Sequence, residues 1–111
     1  MKHPRNKGIR IRRKCIEILI QSGFLVDVVE KTGKFVKVKD LFGLFDLIAL
    51  KPDKIKFIQV TCNNAHVHKP YIDFSLKYQL IDTEQWVWKD RKGFIIYRYI
   101  NGKIDKIKLF K

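Results

Sequence analysis

The stretch that decides the fold is Phe42–Cys62, FGLFDLIALKPDKIKFIQVTC. It contains two apolar runs, LFDLIAL and IKFIQVT, joined by the sequence KPDK. Because Pro-Asp favours a tight turn, the two runs are predicted to be neighbouring strands. Each run nevertheless carries polar residues: Asp46 in the first, and Gln59 and Thr61 in the second. A carboxylate in an apolar run is costly unless it is paired or binds a metal, so Asp46 requires an explanation.

The polar positions of the two runs are predicted to converge. Gln59 and Thr61 point to one face of their strand, because strand side chains alternate. If the runs pair across the turn, Asp46 lies beside them. Carboxylate and amide oxygens are ligands of Mg²⁺, which takes few protein oxygens and keeps several waters. The pattern therefore predicts an oxygen-rich metal site, although Asp46 alone also suits the cap of a bent strand and Gln59 alone a satisfied buried amide.

A third oxygen donor is predicted from the first helix. Glu17 lies in the most apolar part of that helix, IEILI, with Arg13 one turn earlier. Taken alone, such a glutamate is more often exposed and paired with the preceding arginine. Together with Asp46 and Gln59 it gives the order helix, strand, strand for three oxygen ligands. This combination favours a metal site that assists hydrolysis of a phosphodiester.

The charge of the chain is strongly basic. The 111 residues include 24 Lys and Arg against 11 Asp and Glu, a net charge of +13. Such an excess is typical of nucleic-acid binding. A membrane partner is not expected, because no pattern predicts a long helix with one basic and one apolar face. No apolar run approaches the roughly 20 residues of a membrane-spanning helix.

Composition also bounds the class of protein. With 46% hydrophobic and 13% aromatic residues the chain is not disordered. Cys15 and Cys62 lie in apolar surroundings and are expected to be free thiols of a reducing compartment. The N-terminal sequence MKHPR lacks the apolar core of a signal peptide. A cytoplasmic location is therefore expected, in a prokaryotic cell or, if a virus encodes the chain, in its host cell.

The remaining pattern predicts a single α/β domain over residues 1–111, in which residues 1–8 form a flexible basic arm. A helix is expected after Gly8 and a second one around residues 69–79, where Tyr71, Phe74, Tyr78 and Ile81 have helical spacing. Strands are predicted at residues 24–29, 35–39, 44–50, 55–61, 86–88, 94–99 and 103–110. The order is therefore helix, strands, helix, strands.

Basic side chains are concentrated in two places. Residues 2–14 contain seven Lys and Arg and no acid, which predicts a phosphate clamp more readily than a solvated tail. Alternation places Lys37 and Lys39 on one face of a hairpin. There they either contact a phosphate backbone or keep an exposed edge strand from pairing with another chain. The predicted nucleic-acid contacts are Arg5, Lys7, Arg10, Arg12, Arg13, Lys14, Lys37 and Lys39.

Other side chains carry weaker signals. Asp40 is either a fourth acidic ligand or, more simply, the cap of a turn. His66 and His68 lack partners at the spacing of a zinc site and are predicted to lie in a surface loop. Trp86 and Trp88 share one strand face and are expected in the core or at a dimer interface rather than stacked on bases.

These residues resemble the PD-(D/E)xK nuclease superfamily, and within it the short Holliday junction resolvases of archaea, their viruses and bacteriophages. In that family a helix supplies Glu, a strand supplies Asp in a PDIIAL-like setting, and the next strand supplies Glu-x-Lys in an IEMK-like setting. Here the corresponding segments are Glu17, the Asp46 run FDLIAL, and IQVT with Gln59 and Thr61. The resemblance covers most of the chain. It implies a restriction-endonuclease-like α/β fold with an αβββαβ core, a mixed sheet flanked by helices and extra C-terminal strands.

The resemblance implies a catalytic set of Glu17, Asp46, Gln59 and Thr61, and metal ligation by Glu17, Asp46, Gln59 and the Val60 carbonyl. Two of these positions depart from the family pattern. Gln59 stands where the family has an acidic ligand, so the metal affinity is expected to be lower. Thr61 stands where the family has its catalytic lysine. A lysine from another element is a possible replacement, with Lys39, Lys69 and Lys77 as candidates.

The resulting prediction is an Mg²⁺-dependent endonuclease, with Mn²⁺ as an alternative ion, that resolves four-way DNA junctions of recombination. Because a junction has two-fold symmetry and needs paired cuts, a homodimer is expected. No small-molecule cofactor is expected. Two alternatives stay open: a catalytically degenerate DNA-binding module of the same fold, and a nuclease that cuts duplex or flap DNA.

Overall fold

The computed structural model describes residues 4–29, 31–32, 37–38 and 40–109, with the backbone alone for residues 4–6, 31–32 and 37–38. Two helices and eight strands lie within these ranges. They follow one another as α1 (Pro4–Gln21), β1 (Leu25–Val28), β2 (Lys31–Thr32), β3 (Lys37–Val38), β4 (Leu47–Lys51), β5 (Lys54–Cys62), α2 (Lys69–Lys77), β6 (Ile81–Lys89), β7 (Gly93–Ile100) and β8 (Lys103–Leu109).

Six of the strands form one mixed sheet in the order β1-β4-β5-β6-β7-β8, while β2 pairs with β3. The β4–β5 hairpin is antiparallel with Leu47 opposite Ile58, and its turn is the predicted Pro52-Asp53 turn. β5 and β6 are parallel, and α2 forms the connection between them. The predicted αβββαβ core is confirmed as α1, β1, β4, β5, α2 and β6, extended by the C-terminal strands β7 and β8.

Each face of the sheet is covered by one helix. The α1 stripe of Ile11, Cys15 and Leu19 is buried against one face, on which Ile58 and Trp86 are also buried. This confirms the apolar periodicity that predicted the helix, and it places Trp86 in the core. A smaller cluster, centred on Phe45, Tyr71 and Tyr99, fills the space between α2 and the other face. The candidate site lies where β4 and β5 separate.

The expectation of a flexible arm over residues 1–8 is wrong for the described part, because α1 begins at Pro4. Proline suits the first turn of a helix, since its fixed φ is helical and its missing N–H would have had no partner there. The Lys7 ammonium group also contacts the Asp90 carboxylate in the β6–β7 turn at 3.0 Å, which ties the first turns of α1 to the sheet. Residues 1–3 lie outside the described residues.

Two further boundaries differ from the sequence pattern. Ile81 shares helical spacing with Tyr78, yet α2 ends at Lys77 and Ile81 is the first residue of β6. The first central strand begins at Leu47 rather than at Leu44, because residues 41–45 form a tight loop in which Leu41 and Phe45 exchange backbone hydrogen bonds. Both differences arise because pairing along the sheet overrides local periodicity.

A buried ionic cluster on the α1 face was not predicted. The Glu84 carboxylate is 1% exposed, and it accepts hydrogen bonds from Lys56 Nζ, from Arg98 Nε at 3.2 Å and from Trp86 Nε1 at 2.9 Å. Burying a carboxylate is tolerated here because its oxygens are fully hydrogen-bonded to cationic and indole donors. The cluster fixes the register of three adjacent strands.

The strand predicted at residues 86–88 is longer, Ile81–Lys89, and of the strand predicted at residues 35–39 only residues 37–38 are described. The cysteines and the last hairpin agree with the prediction. Cys15 is buried, Cys62 is half-buried, and both are free thiols. Asn101 and Gly102 have φ values of 50° and 82°, as the predicted two-residue hairpin turn requires. Among the described residues, no helix is both long and apolar enough to cross a membrane.

Candidate active site at the diverging ends of β4 and β5

Strands β4 and β5 separate at Asp46. Up to Leu47 and Ile58 the two strands follow a regular antiparallel register. One residue further, the Asp46 N–H donates to the Ile58 carbonyl at 3.0 Å, and the Val60 N–H donates to Asp46 Oδ1 at 3.2 Å. A side-chain carboxylate therefore accepts the hydrogen bond that a backbone carbonyl would accept in a continued ladder. This bond fixes the carboxylate at the fork between the strands.

The Asp46 carboxylate is in an unusual electrostatic environment. Its pKa is raised from the ordinary 3.8 to about 7, chiefly because burial removes water from the charged form. The Val60 N–H and the positive charge of Arg12 lower the pKa, while the negative charge of Asp40 raises it. These groups do not offset the cost of burying the ionised carboxylate, so a cation bound at the fork would stabilise it.

Gln59 supplies a second oxygen at the fork. Gln59 follows Ile58, the last β5 residue paired with β4, and alternation along β5 puts its side chain on the face that carries Phe57. The Gln59 side chain is buried, and its Oε1 has no hydrogen-bond partner among the described residues. An unpaired buried acceptor costs free energy until a donor or a cation satisfies it. The unpaired amide oxygen and the desolvated carboxylate, which is bonded to the N–H of the next residue, Val60, are oxygen groups of the kind that bind a divalent cation.

Glu17 does not join this site, and the prediction that it completes the ligand set is wrong. Its side chain is exposed and borders a hollow formed with Lys14, Trp88 and Phe94 next to the β6–β7 turn. Arg12, by contrast, acts on Asp46. At 3.6 residues per turn the two residues are about 140° apart around α1, so only one of them can face the fork.

Thr61 has a structural contact. Its hydroxyl donates to the Asn64 carbonyl at 2.9 Å and closes the turn that follows β5. Of the lysines considered as replacements for a catalytic lysine, Lys69 contacts Asp73 at 3.2 Å and Lys77 lies 5.7 Å from the ring centre of Tyr78. Lys39 lies outside the described residues. The cation that the structure brings to Asp46 is Arg12.

Asp40 is a second acidic residue whose charge acts on Asp46. It is exposed, and its negative charge raises the pKa values of both Asp46 and Tyr71, so it lies on the same side of the molecule as the fork. Within the described part of the chain, no three His, Cys, Asp or Glu side chains form a ready metal-binding group. The oxygen set is therefore one buried carboxylate, one amide and one more distant carboxylate.

Sequence reasoning missed a polar network beside the fork. Gln85, which is fully buried and pairs with Gln59 in the sheet register, hydrogen-bonds to both the N–H and the carbonyl of His66. It also donates to the Tyr99 hydroxyl at 2.8 Å, and His68 Nδ1 lies 2.6 Å from the same hydroxyl. The one available signal was Gln85 itself, an amide in the centre of an otherwise buried strand.

The predicted phosphate contacts are distributed around α1. Lys7 is engaged with Asp90, Lys14 lies 5.6 Å from the ring centre of Trp88, and Arg10 and Arg13 are exposed. Arg12 is half-buried. The side chains of Arg5 and Lys37, and the whole of Lys39, lie outside the described residues. Binding of DNA by this group stays a prediction.

Comparison with known proteins bears on the fold. No protein-family model and no curated protein matches the sequence. Among solved structures, the chain is similar to Hjc, a Holliday junction resolvase from the archaeal hyperthermophile Archaeoglobus fulgidus. The superposition has a TM-score of 0.58 and covers 91% of this chain and 88% of Hjc, at 17% sequence identity. The predicted fold class is therefore confirmed: this chain shares the α/β fold of Hjc.

Proposed function

We propose that the chain is a divalent-metal-dependent endonuclease that binds branched DNA and hydrolyses phosphodiesters at four-way junctions. The observation that supports this most directly is the fork between β4 and β5. There the desolvated carboxylate of Asp46 accepts the Val60 N–H, and the residue before Val60, Gln59, has an unpaired amide oxygen. Groups of this kind, in a fold similar to that of a junction resolvase, suit metal-assisted phosphodiester hydrolysis better than any other chemistry.

Asp46 and Gln59 would hold Mg²⁺ or Mn²⁺, with the Val60 carbonyl as a further ligand. Mg²⁺ commonly uses one or two carboxylates and completes its shell with water and substrate phosphate. When bound, the metal would lower the pKa of an attacking water and stabilise charge on the departing oxygen. The Val60 N–H holds Asp46 in place for this role. Arg12, on the α1 side of the fork, is positioned to neutralise a phosphate that approaches Asp46.

Binding to DNA would rest on charge and backbone shape. The net charge of +13 attracts a polyanion, and the exposed Arg10, Arg13 and Lys14 present donors for phosphate oxygens along α1. Because such contacts release counterions, the affinity should fall steeply as salt rises.

A second copy of the chain would supply the second active site. Phe42, Phe57, Phe74, Tyr78 and Ile81 surround an apolar hollow of about 380 Å³ on the α2 side. Phe42 is 69% exposed at its rim. An exposed apolar patch of this kind favours protein contact over solvent. A symmetric dimer through this face would match the two-fold symmetry of a four-way junction.

A catalytically degenerate DNA-binding protein of the same fold is the second candidate. It is favoured by a specific observation: a positive charge, Arg12, acts on Asp46 from α1, and Thr61 is bonded to the Asn64 carbonyl. If Arg12 neutralises Asp46 permanently, the protein would bind junctions without cutting them. A nuclease acting on duplex or flap DNA would use the same site with a different substrate.

Three labelled substrates separate these possibilities. Purified protein is incubated with four-way junction, linear duplex and flap DNA, with Mg²⁺ or Mn²⁺ and with chelator. Paired symmetric cuts in the junction, lost with chelator and in an Asp46→Asn variant, are the expected result. Preferred cutting of duplex or flap would replace the junction assignment. Tight binding to the junction without cutting in either metal would establish the degenerate alternative.

A further inference from the structure

The backbone of His66 is held by a buried side chain. The Gln85 amide accepts a hydrogen bond from the His66 N–H at 2.9 Å and donates one to the His66 carbonyl at 3.1 Å. Gln85 is fully buried in the central parallel pair of strands, whereas the His66 imidazole is exposed. An amide in the middle of the sheet thus fixes the position of one surface imidazole in the β5–α2 loop.

The same loop is connected to the fork by hydrogen bonds on two sides. Gln85 pairs with Gln59 in the parallel register, and the next residue, Val60, donates its N–H to the Asp46 carboxylate. On the side of α2, the Tyr71 hydroxyl donates to the carbonyl of Leu44, two residues before Asp46, at 2.8 Å. The same hydroxyl is 3.5 Å from His66 Nδ1. His66 is therefore connected to both strands that form the fork.

These contacts also select one tautomer of the imidazole. Tyr71 has a single hydroxyl proton, which it donates to the Leu44 carbonyl. Its oxygen is left as an acceptor toward His66 Nδ1, and this favours a proton on Nδ1. The lone pair of the imidazole then lies on Nε2, and the His66 side chain is exposed. An imidazole oriented by one neighbour and unprotonated on the other nitrogen has the arrangement of a general base.

We propose that His66 is a catalytic residue of this chain, whose Nε2 accepts the proton of the water that attacks the phosphodiester. This inference rests on the proposed nuclease function. As the water oxygen forms its bond to phosphorus, the water proton passes to Nε2. The bond from phosphorus to the leaving sugar oxygen breaks, its electron pair stays on that oxygen, and a solvent water supplies the proton that completes the alcohol. His66 then returns its proton to solvent.

The groups around His66 determine how its protonation affects the rate. Tyr71 from α2 and Gln85 from β6 contact it, and both are neutral near pH 7. The negative charges of Asp46 and Asp40 act on Tyr71 from the fork. Because only an unprotonated Nε2 can accept the proton of the attacking water, the cleavage rate should rise from the acid end of the pH range.

The activity test uses the full chain and junction DNA in single-turnover cleavage over pH 5 to 9. In the His66→Ala variant the rate should fall about 100-fold or more, with junction affinity retained, since general bases typically contribute 10²–10⁴-fold. Added imidazole should restore part of the rate. His68→Gln is the matched control, because His68 occupies the same loop but is bonded to Tyr99, and its rate should not change.

A second measurement does not depend on activity. The ¹⁵N shifts of His66 should report a proton on Nδ1, and Tyr71→Phe should move the population toward a proton on Nε2. A wild-type imidazole with its proton on Nε2, or a His66→Ala variant that cuts like wild type, would overturn the role of His66 while leaving the nuclease proposal intact. Wild-type protein that binds junctions but never cuts them would overturn both.

Discussion

Replacing Asp46 with asparagine should make the metal-free protein more stable at alkaline pH. Asparagine keeps the shape of the side chain and an oxygen that accepts the Val60 N–H, but it removes the charge that burial disfavours. A group whose pKa is raised on folding contributes stability below its unfolded pKa, and that contribution is lost as the pH rises through the folded pKa. For Asp46 the loss begins near 3.8 and is complete above about 7.

The size of the effect follows from the two pKa values. The rise from 3.8 to about 7 is a difference of about three pH units, and at about 1.4 kcal/mol per unit it corresponds to a ceiling of about 4 kcal/mol. The Asp46→Asn variant should therefore exceed wild type by up to about 4 kcal/mol in free energy of unfolding at pH 8, and by less than about 1 kcal/mol at pH 4.

Urea denaturation of both proteins at pH 4, 6 and 8 in chelator measures this difference. Asp53→Asn, in the exposed β4–β5 turn, is the matched control and should change stability by less than about 0.5 kcal/mol at each pH. Repeating the series with Mn²⁺ should stabilise wild type but not Asp46→Asn, because only wild type has the anionic ligand. If the difference in free energy of unfolding between Asp46→Asn and wild type is no larger at pH 8 than at pH 4, the argument from desolvation is refuted.

Three further changes test other parts of the structure. Glu17→Gln should leave metal affinity and junction cutting unchanged, because Glu17 lies away from the fork. A large loss of cleavage rate in this variant would show that Glu17 belongs to the site. Glu84→Gln should destabilise the fold by about 3–5 kcal/mol in urea denaturation at pH 7, because it leaves Lys56 and Arg98 without their buried counterion. Phe42→Asn should shift the proposed dimer toward monomer in sedimentation analysis with the fold retained, since asparagine tolerates the φ of 58° at this position; a dimer of unchanged affinity would exclude this face.

Much of the fold follows from local chemistry. Pro52-Asp53 and Asn101-Gly102 mark turns whose geometry those residues prefer, and both turns form where expected. The order of helices and strands then limits the ways to build one sheet, because the helical connection through α2 suits parallel neighbours. Asp46 and Gln59 were predicted as ligands because polar side chains in apolar strands require a specific cause, and this role stays a prediction.

The assignment of Glu17 failed for a definite physical reason. The first helix has isoleucines at positions 16, 18 and 20 as well as at 11, so its apolar surface is broad and its rotation about its own axis is poorly specified by the pattern. Packing against the sheet selects the stripe of Ile11, Cys15 and Leu19. That choice turns Arg12 toward Asp46 and Glu17 away from it.

What the sequence determined by itself is the set of strands and turns, the strongly basic character and the two polar residues at the centre of the sheet. These depend on nearest neighbours along the chain and on composition. Only the tertiary structure decided which charged side chain acts on Asp46. It also decided that the buried Gln85 hydrogen-bonds to the backbone of His66, nineteen residues away. In the same way, it placed Glu84 between Lys56 and Arg98 from the two adjacent strands. Such pairings depend on helix rotation and strand register, which are fixed by the packing of the whole domain.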